Sequence, residues 1–115
     1  MATIQEVRHK AGRMLGLIRY GQALKSDDDS LLSEAYTQVY DELKTEGLNV
    51  WASDGAVPDR VAQHVAALMA FNVCDDKQAP EVMRKRVIER RSIALPEIRR
   101  LTAAPYESLK DPVDY

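Results

Sequence analysis

Four stretches of the chain repeat apolar residues at spacings of three and four, and between them stand glycines, prolines and acidic runs that break a helix. A chain so patterned hides its stripes by packing helix against helix. In the first stretch Ile4, Val7, Ala11, Met14, Leu15 and Ile18 share one face, and Thr3 with Glu6 forms a capping box at its start. Gly16 and Gly21 then loosen the pattern. The second stretch opens at Ser26-Asp27-Asp28-Asp29-Ser30, which offers several N-caps and places carboxylates beside the positive end of a helix dipole. It runs through Leu32, Ala35, Tyr36, Val39 and Leu43 to Gly47, a residue able to take the left-handed conformation that closes a helix.

Residues 48–57, LNVWASDGAV, read as a short extended piece followed by an Asp54-Gly55 turn. Pro58 suits the first turn of a third helix, with Val61, Val65, Leu68, Met69 and Asn72 along one side and Ala62, Ala66, Ala67 and Ala70 allowing close approach. That helix is predicted to be the buried one, its Val61, Val65, Leu68 and Met69 facing Val7, Leu15, Val39 and Leu43. It should stop near Asp75-Asp76. Pro80 opens a fourth helix, whose apolar positions Val82, Met83, Val87, Ile93 and Ala94 are interleaved with cations, and Pro96 predicts either a stop near Leu95 or a kink toward Leu101. Residues 102–115 hold Pro105, Pro112 and two tyrosines without a helical stripe. The expected fold is therefore all-α: a small four-helix bundle over 1–101 and an extended C-terminal tail over 102–115.

At 115 residues, 45% apolar and 30% charged, the chain is sized and composed for one globular domain and not for disorder. Its net charge of -2 provides no global positive field toward nucleic acid or membrane, so any such contact must be local. Cys74 is the one cysteine, which excludes an internal disulfide and fits a reducing compartment. The N-terminal residues carry charges every few positions, unlike a signal or transit peptide, and the apolar run 65–73 is too short to span a bilayer, which predicts a soluble chain.

Catalytic constellations are missing from the sequence. His9 and His64 are the two histidines; neither belongs to an H-E-x-x-H pattern, and there is no C-x-x-C, no phosphate-binding glycine loop and no G-x-S-x-G. Asp27-Asp28-Asp29 lacks the alternating spacing and distal Glu of an EF-hand loop and reads as capping. The expectation is a protein that is not an enzyme, with no cofactor and no metal.

Charge asymmetry is the stronger signal. Arg84, Lys85, Arg86, Arg90, Arg91, Arg99 and Arg100 stand against Glu89 and Glu97, a net +5 over seventeen residues. Positions 86 and 90 are four apart and 84 and 91 seven apart, so several cations share helix faces, as a phosphate-contacting surface requires. Pairing with carboxylates, within the chain or on a neighbouring subunit, and plain solvation fit the same pattern. Trp51, Tyr20, Tyr36 and Tyr40 are the aromatics suited to core packing or to anchoring an interface. In the tail, Tyr106, Leu109, Val113 and Tyr115 are apolar groups that a partner, or folding back onto the domain, would cover.

The order of signals, namely a capped first helix, a helix ending in YDELKTEGLNVWA, the connector SDGAVPDRV, the alanine-rich AQHVAALMAFNV, a basic helix and a trailing tail, resembles the head-to-tail adaptor proteins of tailed bacteriophages. The resemblance covers residues 3 to 101. It implies a non-enzymatic virion protein of the neck, a subunit of a ring commonly of twelve copies that docks beneath the portal protein, extends the DNA channel and receives a tail or stopper protein, with no membrane contact. It further implies that the C-terminal arm, with Pro105, Tyr106, Leu109, Pro112, Val113 and Tyr115, reaches the portal, while the basic helix meets packaged DNA or a neighbouring subunit. Two alternatives stand beside it: an autonomous regulatory or scaffolding bundle from a cellular genome, and a small helical DNA-binding protein of the regulator or terminase small-subunit type, against which stand the negative net charge and a connector from Gly47 to Pro58 too long for a tight helix-turn-helix.

Overall fold

The computed structural model describes residues 2–19, 22–48, 51–52, 55–74, 78 and 80–110, the last eight as backbone alone. Four helices follow one another: α1 (Ile4–Met14), α2 (Ser26–Thr45), α3 (Asp59–Val73) and α4 (Glu81–Lys110). The fold is an all-α four-helix bundle, and no strand occurs among the described residues.

Local chemistry accounts for most helix ends. The Thr3 Oγ1 accepts from the Glu6 amide at 3.1 Å while the Thr3 amide donates to the Glu6 carboxylate at 3.0 Å, so the capping box forms as expected. Closure of α2 uses the left-handed Gly47, at φ 73°, which lets the Leu48 amide reach the Leu43 carbonyl at 2.8 Å and the Gly47 amide reach Lys44 at 3.0 Å. Gly16, at φ 75°, ends α1 in the same way. At the start of α2 the cap is Lys25, which makes no side-chain bond, so the acidic run does not cap; it lies inside the first turn, where carboxylates meet the free amides of the helix dipole. There Asp28 is buried and Asp29 accepts from the Arg8 guanidinium at 2.7 Å, tying α2 to α1.

Packing is organised around α3, which touches all three other helices and buries nine of its residues, valines and alanines on every side. Val61, Val65, Leu68 and Met69 join Val7, Leu15, Val39 and Leu43 in one core, as the stripes predicted. Asn72 is half-buried at the margin. The N-terminus is pinned by a feature the pattern did not announce: Ala2 and Val57 form an isolated antiparallel bridge, with amide-to-carbonyl distances of 2.9 and 2.7 Å. Trp51 plugs the connector into the core beside Tyr36 and Tyr40, so these three aromatics serve packing. Tyr20, Gly21, Asp54 and Asp75-Asp76 lie outside the described residues.

The fourth helix departs from expectation twice. Val82 and Ile93, read as core positions, are 64% and 57% exposed; the buried line is Val87, Ala94 and Ile98, flanked by half-buried Met83, Leu95 and Leu101. At about 100° per residue Val82 and Ile93 fall roughly 100–140° away from Val87 and Ala94, and α3 covers the latter pair together with Ile98. Of the two outcomes open at Pro96 the helix takes continuation, and it goes further than Leu101: residues 102–110, expected extended, are helical backbone. A mid-helix proline costs about 3 kcal/mol. Burial of Ile98 and partial burial of Leu101 beyond it offset that cost by about 1.5–3 kcal/mol for a fully buried side chain. The side chains of Pro105, Tyr106 and Leu109, and all of Pro112, Val113 and Tyr115, lie outside the described residues.

Candidate functional site

At about 100° of turn per residue, the basic residues of α4 divide over two flanks and an outer face. Arg84, Arg91 and Arg99 fall on one flank, and Arg99 there closes on Glu46, beyond the last residue of α2, at 2.6 Å. On the same flank the Arg91 guanidinium lies over the Phe71 ring of α3, 4.5 Å from its centroid, a cation–π contact. Lys85 on the outer face meets Glu81 at 3.6 Å, and Arg100 meets Glu97 at 2.8 Å. That last pair holds the Glu97 carboxyl below its usual range and raises the guanidinium in turn. The seven cations therefore form no single phosphate-facing surface, and three of them are held by carboxylates of the same chain.

Arg86 and Arg90 take the opposite flank, toward α1. There the structure brings together residues that the sequence kept far apart: Lys10, Arg13 and Met14 from α1, Gln63 from α3 and Arg90 from α4 line an open concavity of about 290 Å³. A second hollow of about 180 Å³ shares Gln63 and Arg90 with it and adds His64, Ala67 and Ile93. Together they make one groove along the α1 side of α4, cationic at one end and partly apolar at the other. Lys10 and Arg13 were not among the sequence candidates. Their spacing of three puts them on one face of α1, but nothing in α1 alone says that this face meets α4.

His64 sits at the apolar end. Burial pushes its pKa below 6.5, an effect reinforced by Arg100 and opposed by Glu97. A histidine whose folded pKa is depressed contributes stability that is fully present above the unfolded value, about 6.5, and lost as pH falls through the lower folded value. Urea midpoints should therefore hold steady at neutral pH and decline below about pH 6.5, ahead of the carboxylate range, and His64→Gln should flatten that first decline. An unchanged profile in the variant would place the proton uptake elsewhere. His9, by contrast, donates from Nδ1 to the Gln5 carbonyl at 2.7 Å within its own helix.

Among the described residues no group of three or more His, Cys, Asp or Glu is placed to hold a metal ion, and no helix is long and apolar enough to cross a membrane. Compared with known proteins, the chain matches no family model, no curated protein and no solved structure.

Proposed function

We propose that this chain is a structural adaptor of a tailed-phage neck: a subunit of a homo-oligomeric ring, of about twelve copies by the resemblance, that docks beneath a portal protein, lines part of the DNA channel and receives a tail or stopper protein. The observation that carries this reading is the length of α4. Its 30 residues span about 45 Å, whereas the 15 of α3, its packing partner, span about 22 Å. Arg91 lies over Phe71 and Glu97 acts on His64, so the two helices run antiparallel and α3 is used up near residue 102 of α4. The last turns of α4 thus run past the bundle, and the molecule measures 53 × 28 × 26 Å. A projecting helical end suits a docking arm, and its preformed backbone reduces the entropy lost on binding compared with an extended tail.

The DNA-binding alternative fares worse on the same geometry. A recognition helix must enter the major groove, and α3, the helix following the connector, buries nine of its 15 residues against the rest of the bundle. In the adaptor reading, DNA contact is non-specific and comes from cations repeated around a ring.

Removing residues 103–115 tests the arm. The truncated chain is expected to keep its helical circular-dichroism signal per bundle residue and its melting temperature while losing co-sedimentation with portal rings. Unchanged portal affinity after truncation would move the interface to the bundle. A full-length chain that stays monomeric and ignores portal rings would sink the adaptor reading itself.

A further inference from the structure

We propose that the groove between α1 and α4 is a seat for the phosphates of a nucleic-acid backbone, formed by Lys10, Arg13, Gln63 and Arg90. This deepens the DNA contact in the adaptor reading by naming its residues. The groove collects donors from three helices, and no carboxylate lines it. Elsewhere on α4 the pattern is different: Lys85, Arg99 and Arg100 are each closed by a glutamate. Among the described residues, by contrast, no carboxylate pairs with Lys10 or Arg90. Lys10 and Arg13 are half-buried, so their stems lie against protein and their charged ends are held near the concavity.

The neighbouring hollow gives the ligand its shape. Next to the cations stand Ala67, half-buried His64 and the exposed Ile93, an apolar rim beside a charged floor. A backbone that alternates phosphates with less polar sugars matches such an alternation, whereas a free phosphate ion would leave the rim unused. Guanidinium groups bind phosphate oxygens through paired N–H donors, and the Lys10 ammonium acts as a point charge beside them.

The test titrates the full-length chain with a labelled 20-base-pair duplex of arbitrary sequence over a range of NaCl concentrations. Three phosphates neutralised give a logarithmic salt slope of about -2.7, so binding should weaken about 40-fold between 50 and 200 mM salt. The variant K10Q/R13Q/R90Q should lose about two to three units of that slope. The comparison variant K85Q/R99Q/R100Q, with the same change in net charge, should keep it. Circular dichroism on both checks that neither effect comes from unfolding. Equal loss in the two variants would reduce the effect to overall charge and overturn the site, as would the absence of duplex binding by the native chain. Displacement of duplex by poly-glutamate at matched charge would also overturn it, making the groove a seat for an acidic protein face such as the exposed Asp27, Glu34 and Asp41 of a second copy. Portal co-sedimentation of K10Q/R13Q/R90Q is expected to be unchanged, so a failure of the groove and a failure of the adaptor reading give different results.

Discussion

Trp51→Ala is expected to lower the unfolding free energy by about 3–5 kcal/mol, the range for removing a buried large aromatic. Trp51 is 7% exposed, and it joins the connector to α2 by three separate contacts. Its indole Nε1 donates to the Tyr36 hydroxyl at 2.9 Å. Its carbonyl accepts from the Tyr40 hydroxyl at 2.7 Å. Its ring meets Tyr40 edge-on at 6.0 Å, and Tyr40 in turn stacks on Tyr36 at 6.3 Å. Alanine would leave a cavity and deprive the buried Tyr36 oxygen of its donor, while the backbone carbonyl bond to Tyr40 could persist. Trp51→Phe separates the two effects, since it refills most of the volume and loses the indole bond, and should cost less than alanine. Guanidinium unfolding followed by circular dichroism reads both variants; the native chain can be followed by fluorescence, because Trp51 is its one tryptophan. A loss below about 1 kcal/mol for alanine, the level of surface substitutions, would mean that the connector is not docked.

Ile98→Ala should cost about 2–5 kcal/mol, through lost transfer energy and a residual cavity. Ile98 is fully buried and lies beyond Pro96, so it anchors the part of α4 whose helix would otherwise have to absorb the proline defect alone. Val82→Ala, on the same helix but at a 64% exposed position, should change stability by no more than about 0.5 kcal/mol. The pair discriminates between the two apolar sides of α4: comparable losses at 82 and 98, or a larger one at 82, would reverse the assignment of its buried face. Denaturant midpoints measured side by side suffice.

What could be read in advance follows the range of the forces involved. Capping by Thr3 and Glu6, closure at Gly47 and the stripes of α1, α2 and α3 depend on residues within a few positions of one another, and each appears where the pattern put it. In α4 the apolar residues fall on two sides, Val82 and Ile93 away from Val87, Ala94 and Ile98, and α3 covers the second set. The stop read at Pro96 rested on the residue's intrinsic preference, which packing of Ile98 and Leu101 beyond it overrides. The Ala2–Val57 bridge joins residues more than fifty positions apart, and the groove of Lys10, Arg13, Gln63 and Arg90 joins three helices. Spacing along one helix carries no information about such meetings. The basic run was visible as charge, but its division into paired cations and a groove-lining arginine required the positions of Glu46 and of α1.

The central place of α3 also bears on how the chain is made. A ribosome releases α1, α2 and α3 before α4, so for a time a helix with apolar residues on every side lacks the partner that covers one of its faces. At about 5–20 residues per second, the wait for residues 81–101 lasts on the order of seconds. Through that interval the nascent bundle shows an uncovered strip of valine and alanine, a natural point of capture for a holdase chaperone.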